Sequence, residues 1–179
     1  ARVNYSLEKL RLSLAYYGSF YNNGNATMNL GVPGRLNGPL GNMLPLSAGL
    51  QPILNQPVAQ EPDNSFNQIA LTGTYDLAEK TRASFKLSWA NATQKQDFAS
   101  AGLNGAPAGV SNLGGDVNST LAWLGITSRP IPKLTLQADV RYAKRDDKTP
   151  IAPYSLQGTT FYTNQQLPEQ KVSGKLQAA

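Results

Sequence analysis

The fold turns on the stretch IALTGTYDLAEKTRASFKLSW, residues 69–89. Ile69, Leu71, Gly73, Tyr75 and Leu77 alternate with Ala70, Thr72, Thr74 and Asp76. Beyond Ala78-Glu79-Lys80, Ala83, Phe85, Leu87 and Trp89 alternate with Arg82, Ser84, Lys86 and Ser88. Period two places each set on one face of a strand, so this is an antiparallel hairpin with one apolar and one polar face. A three-residue loop keeps the two apolar series opposite each other.

The same pattern extends outward. Val3, Tyr5 and Leu7 precede Glu8-Lys9, and Leu10, Leu12, Leu14 and Tyr16 follow it. A two-residue connection pairs 7 with 10, 5 with 12 and 3 with 14, apolar with apolar. A third hairpin runs from about Val117 to Thr127, turns over 128–132, and returns through Leu134, Leu136, Ala138, Val140 and Tyr142. Its first strand is ambiguous, because Leu121 and Trp123 compete with Ala122, Leu124 and Ile126. The even set is preferred, since it contains no polar residue. A seventh strand begins near Lys171 with Val172, Gly174 and Leu176.

The predicted hairpins thus cover about 1–21, 67–98 and 117–142, with a further strand over 171–179. Short turns alternate with long connections at 22–66, 99–116 and 143–170, rich in Gly, Pro, Asn and Ser. Loops beyond ~15 residues are uncommon in compact soluble domains. Strict short/long alternation is the habit of outer-membrane barrels, which places the long loops outside the cell. The apolar faces carry no charged residue. The opposite faces carry Arg2, Arg11, Asp76, Arg82, Lys86, Asp139, Arg141, Lys171 and Lys175. A Lys or Arg facing lipid at the midplane costs about 2–4 kcal/mol, so a lipid face must be empty in this way. Tyr16, Trp89 and Tyr142 lie on the apolar face six to nine residues past their short turns. They are the expected lipid-facing aromatic girdle.

Composition narrows the chemistry. The 179 residues include 16 Gly and 12 Pro, and only 15% are charged. Sixteen basic against 11 acidic side chains give +5, too scattered for a nucleic-acid partner. With no Cys and no His, disulfides, the usual zinc sites, thiol or Ser-His catalysis and covalent haem attachment are excluded. No apolar run approaches the ~20 residues of a membrane helix. The first residues lack the apolar core of a signal peptide. Asp146-Asp147 beside Lys148 reads as a solvated charge cluster. Asn25, Asn91 and Asn118 head chance glycosylation patterns, Met28 and Met43 have no partner ligand for haem, and the Pro-rich 31–57 stretch reads as an irregular loop. No catalytic constellation is present, and a non-enzyme is expected.

Residues 75–98 (YDLAEKTRASFKLSWANATQKQDF) resemble the barrel repeats of the MtrB/PioB family of decahaem-associated outer-membrane proteins. Residues 125–150 (GITSRPIPKLTLQADVRYAKRDDKTP) carry the most specific match, and the hairpin around Leu10 to Asn23 fits too. The resemblance implies a porin-like sheath that encloses a periplasmic multihaem c-type cytochrome and conducts electrons across the bacterial outer membrane. It implies haem c on that partner and none on this chain, with an extracellular multihaem cytochrome as a further candidate partner. Some members carry an N-terminal Cys pair, which this chain lacks, so a role tied to it does not carry over.

The expected fold is therefore all-β, about seven strands of a larger up-and-down transmembrane barrel, because single-chain bacterial barrels close with even strand numbers. The expected lumen-facing contacts for the partner are Arg11, Arg82, Lys86, Asp139, Arg141, Lys171 and Lys175. Two alternatives stay open: a general diffusion porin, and a soluble secreted β-sandwich acting as a binding module.

Overall fold

The computed structural model describes residues 1–25, 27–28, 31, 35–37, 43–45, 54–55, 58–100, 108–156 and 158–179. Its strands are β1 (Arg2–Ser6), β2 (Leu10–Tyr21), β3 (Thr27–Met28), β4 (Arg35–Asn37), β5 (Met43–Pro45), β6 (Val58–Ala59) and β7 (Asn64–Ala78). They continue as β8 (Thr81–Gln94), β9 (Gly115–Ile131), β10 (Leu134–Asp147), β11 (Pro153–Leu156), β12 (Thr159–Tyr162) and β13 (Glu169–Ala178). Seven form one antiparallel up-and-down sheet in the order β1-β2-β7-β8-β9-β10-β13, not closed on itself. The short pairs β3–β6, β4–β5 and β11–β12 lie within the long connections. Among the described residues no helix is long and apolar enough to cross a membrane, which says nothing of crossing by strands.

Registers follow from the alternation. Val3 sits opposite Leu14 and Tyr5 opposite Leu12. Ile69 faces Trp89, Leu71 faces Leu87 and Gly73 faces Phe85. Ala138, Val140 and Tyr142 face Ile126, Leu124 and Ala122, which settles β9 in favour of the even set. Two turns are tighter than the sequence suggests. Ala78 pairs with Thr81, so the second turn is Glu79-Lys80, with an irregularity between Asp76 and Ala78 that absorbs the extra residue. Ile131 pairs with Leu134, so the third turn is Pro132-Lys133 rather than five residues. Pro132 presets the first turn dihedral, and Lys133 takes the positive one, φ 70°.

Carried across all seven strands, these registers build continuous rows. One row is Val3, Leu14, Leu71, Leu87, Ala122, Tyr142 and Val172. The next towards the short turns is Tyr5, Leu12, Gly73, Phe85, Leu124, Val140 and Gly174, and the third is Leu7, Leu10, Tyr75, Ala83, Ile126, Ala138 and Leu176. No row contains a charge. Gly73 is small because of its neighbours: a Cβ there would lie 2.5 Å from the Phe85 ring and 2.8 Å from Leu12. The ring of Phe85 covers the bare backbone instead.

This apolar surface is uncovered. Leu14 and Leu87 are each 48% exposed and Val172 67%, while Ala90 is the one buried apolar residue among those described. A β-sandwich hides one face of each sheet in a core about 10 Å thick. A single layer with its greasiest side open does not fit a soluble sandwich, and that alternative is set aside.

Candidate functional site: the two faces of the sheet

Polar pairs bound the apolar rows at both ends. Towards the short turns, Thr81 and Ser128 share a hydrogen bond of 2.8 Å. Towards the long connections, the Asn91 amide donates to Asp116 at 2.7 Å and to Asn118 at 3.1 Å. The Tyr16 hydroxyl donates to Asn67 at 2.7 Å, and Lys144 lies 3.7 Å from Asp146. From Thr81 to Asn91 the strand advances ten residues. At ~3.3 Å each and a tilt of roughly 40°, that rises about 25 Å, the height of an outer-membrane apolar band.

The aromatic residues fall near the upper limit of this band. Tyr16, Ile69, Trp89 and Thr120 share one row. Tyr142 lies one row closer to the short turns than sequence spacing implies, in register with Leu87. Lys144 occupies the next position on that strand face. Its charge marks where the apolar surface stops.

Every residue expected in the lumen shares the opposite face. Arg11 is in register with Thr74, Ser84, Gly125, Asp139 and Lys175. Lys86 and Arg141 flank Trp123 one row on, and Lys171 pairs with Ala143. The cations are not equivalent. Arg82 is tied to Asp76 by an ion pair, and Asp139 stands directly across from Lys175. Arg2, Arg11, Lys86, Arg141 and Lys171 face uncharged register partners, and Arg2 donates to the Ser13 hydroxyl at 2.8 Å. A shallow trough runs over Ser88, Ala90 and Ser119 beside Arg141 and Lys171.

The sequence pattern ends β10 at Tyr142 and so misses Arg145 and Glu169, which pair on this face. Continuing the odd parity of β10 by three residues would have found Arg145. The neighbouring acidic residues do not cooperate as a cation site. Asp146 is beside Lys144, whereas Asp147 accepts from the backbone amides of Thr149 at 3.1 Å and Leu167 at 3.4 Å. Asn91 and Asn118 are occupied with each other. Met43 lies in β5, while Asn25 and Met28 lie in or beside the short strands of the first long connection.

No curated protein matches the chain. The family model of the outer-membrane β-barrel porin MtrB/PioB matches residues 1–178, all seven strands of the sheet. An uncovered apolar face of membrane height, a polar face behind it and antiparallel strands joined alternately by short and long connections are what such a barrel requires. The chain belongs to the MtrB/PioB family of outer-membrane β-barrel porins.

Proposed function

We propose that this barrel is a sheath: it encloses a periplasmic multihaem c-type cytochrome and holds it for electron transfer across the outer membrane. The observation that supports this best is the charge of the polar face, where five cations have no carboxylate across the register. An enclosed protein with acidic groups would complement them. The family resemblance at 75–98 and 125–150 supplies the cytochrome. With no His and no Cys, this chain offers neither axial imidazole nor covalent attachment, so electrons would travel on the partner's haems. Its own work is insulation and positioning, and it catalyses no reaction. An extracellular multihaem cytochrome at the outer mouth would take the electrons onward or supply them.

The protein isolated from its native membrane should carry a multihaem cytochrome protected from external protease. In proteoliposomes that complex should pass electrons from an internal reductant to an external acceptor too large to enter. A folded barrel that carries no haem partner and passes small solutes freely would instead be a diffusion porin.

Sidedness is tested separately. In this reading the β11–β12 hairpin faces the outside and the Glu79-Lys80 turn the periplasm. Thr160→Cys should be labelled by an impermeant maleimide on intact cells, and Glu79→Cys only after the outer membrane is opened. Equal labelling would remove the assignment, and the opposite pattern would reverse it.

A further inference from the structure

We infer that Trp123, flanked by Lys86 and Arg141, is the principal contact point of the polar face for an acidic surface of the enclosed partner. The inference rests on the sheath reading and adds the place where the partner is gripped.

Trp123 is in register with Lys86 on β8 and Arg141 on β10. Adjacent strands lie about 4.8 Å apart, so an indole stands between two cations roughly 10 Å from each other. Lys86 and Arg141 are exposed and Trp123 is half-buried. Leu121 is the next residue on the same face, across from Ser88 and Ala143. Leu121 and Trp123 are the large apolar side chains at the middle height of the polar face, whereas the Tyr17–Phe66 ring pair on the same face lies nearer the long connections. The neighbours of Leu121 and Trp123 there are Gly, Ala, Ser, Thr or charged. An aromatic centre of limited area with an Arg beside it and charges at its rim is the composition of a binding hot spot. Neither cation has a carboxylate across the register, so the charge complement must come from the occupant.

Trp123 also has a local duty that the test must separate. A Cβ on Gly125 would lie 2.6 Å from the indole, so the ring covers that glycine. Trp123→Ala can therefore loosen the strand as well as the contact.

The experiment uses the whole barrel with its cytochrome in the native membrane, extracted and challenged with rising salt. Trp123→Ala should release the cytochrome about tenfold faster while the barrel keeps its heat-modifiable mobility. Its salt dependence should match wild type, because no charge has been removed. Lys86→Gln with Arg141→Gln should flatten the salt dependence. Should Trp123→Ala fail to assemble, Trp123→Phe keeps a ring over Gly125 and should still speed release about threefold. Release from assembled Trp123 variants at the wild-type rate would overturn the inference while leaving the sheath reading intact. A wild-type barrel that holds no cytochrome would end both.

Discussion

Leu87→Arg should strongly impair assembly of the barrel, whereas Lys86→Leu one residue away should have a mild effect. Leu87 lies in the first of the three apolar rows, with Leu71 on one side and Ala122 on the other, and it is 48% exposed. It is near mid-height between the polar pairs at Thr81 and Asn91, where nothing lets a guanidinium reach water easily. Arg there costs about 2–4 kcal/mol. Native proteins hold only about 5–15 kcal/mol of net stability, so a loss of that size takes a large share of it and slows or lowers assembly. Lys86 points the other way, opposite Thr72 and Trp123. Replacing it with Leu removes a lumen charge and leaves the lipid face as it was. The measurement is the heat-modifiable fraction in isolated outer membranes. Equal behaviour of the two variants would mean that the faces are misassigned.

That contrast was already legible in the sequence, because a period of two permits only two choices per strand. Hairpin registers then tie the choices together: once Leu71 faces Leu87, Ile69 must face Trp89. Ambiguity remained where both faces carry apolar residues, as in β9 with Leu121 and Trp123 against Ala122, Leu124 and Ile126. There the decision belongs to the neighbours. Phe85 and Val140 flank Leu124, and Lys86 and Arg141 flank Trp123, which places the indole among the charges. The third turn is shorter than the sequence suggests because Pro130 lies within β9, where a strand admits Pro if no ladder donor is required, and the second because the irregularity between Asp76 and Ala78 takes up a residue.

The polar face was legible as a set of charges but not as a set of unequal charges. Arg82 and Lys86 look alike in an alternating string. The Asp76–Arg82 ion pair forms across the hairpin, so Arg82 has less charge to offer a partner than Lys86. Asp139 and Lys175 are 36 positions apart, and only the β10–β13 register brings them together. Lys86 with Arg141 is therefore the informative charge pair to neutralise.

Thr149→Val should unfasten the base of the last long connection without disturbing the barrel beneath it. Thr149 is 4% exposed, the most buried polar residue among those described. Its hydroxyl accepts the Asp116 amide at 3.2 Å, and its carbonyl accepts the side-chain amides of Gln166 at 2.7 Å and Asn164 at 3.4 Å. The Lys148 amide donates to the Asp116 carbonyl at 2.8 Å, which ties β10 to β9 above the girdle. Hydrogen bonds from Thr149, the side chain foremost, hold the Asp147 carboxyl below the usual carboxylate range. Valine keeps the shape and removes the hydroxyl, leaving the Asp116 amide without its acceptor. An unmet buried group costs about 1–3 kcal/mol, so hydrogen exchange at Asp116 and Lys148 should speed up roughly 5- to 150-fold. Thr149→Ser, which keeps the hydroxyl, should stay within a few-fold of wild type. The pH dependence has a fixed sign. A depressed carboxyl stabilises the fold above its unfolded value, and that contribution is lost as pH falls through the lower folded value. The part of the wild-type protection that Asp147 contributes should therefore persist through mildly acidic pH and be lost only below the ordinary carboxylate range. In Thr149→Val the Asp147 carboxyl should titrate closer to its ordinary value. Exchange at Asp116 that is unchanged in Thr149→Val would show that the loop base is held by the backbone alone.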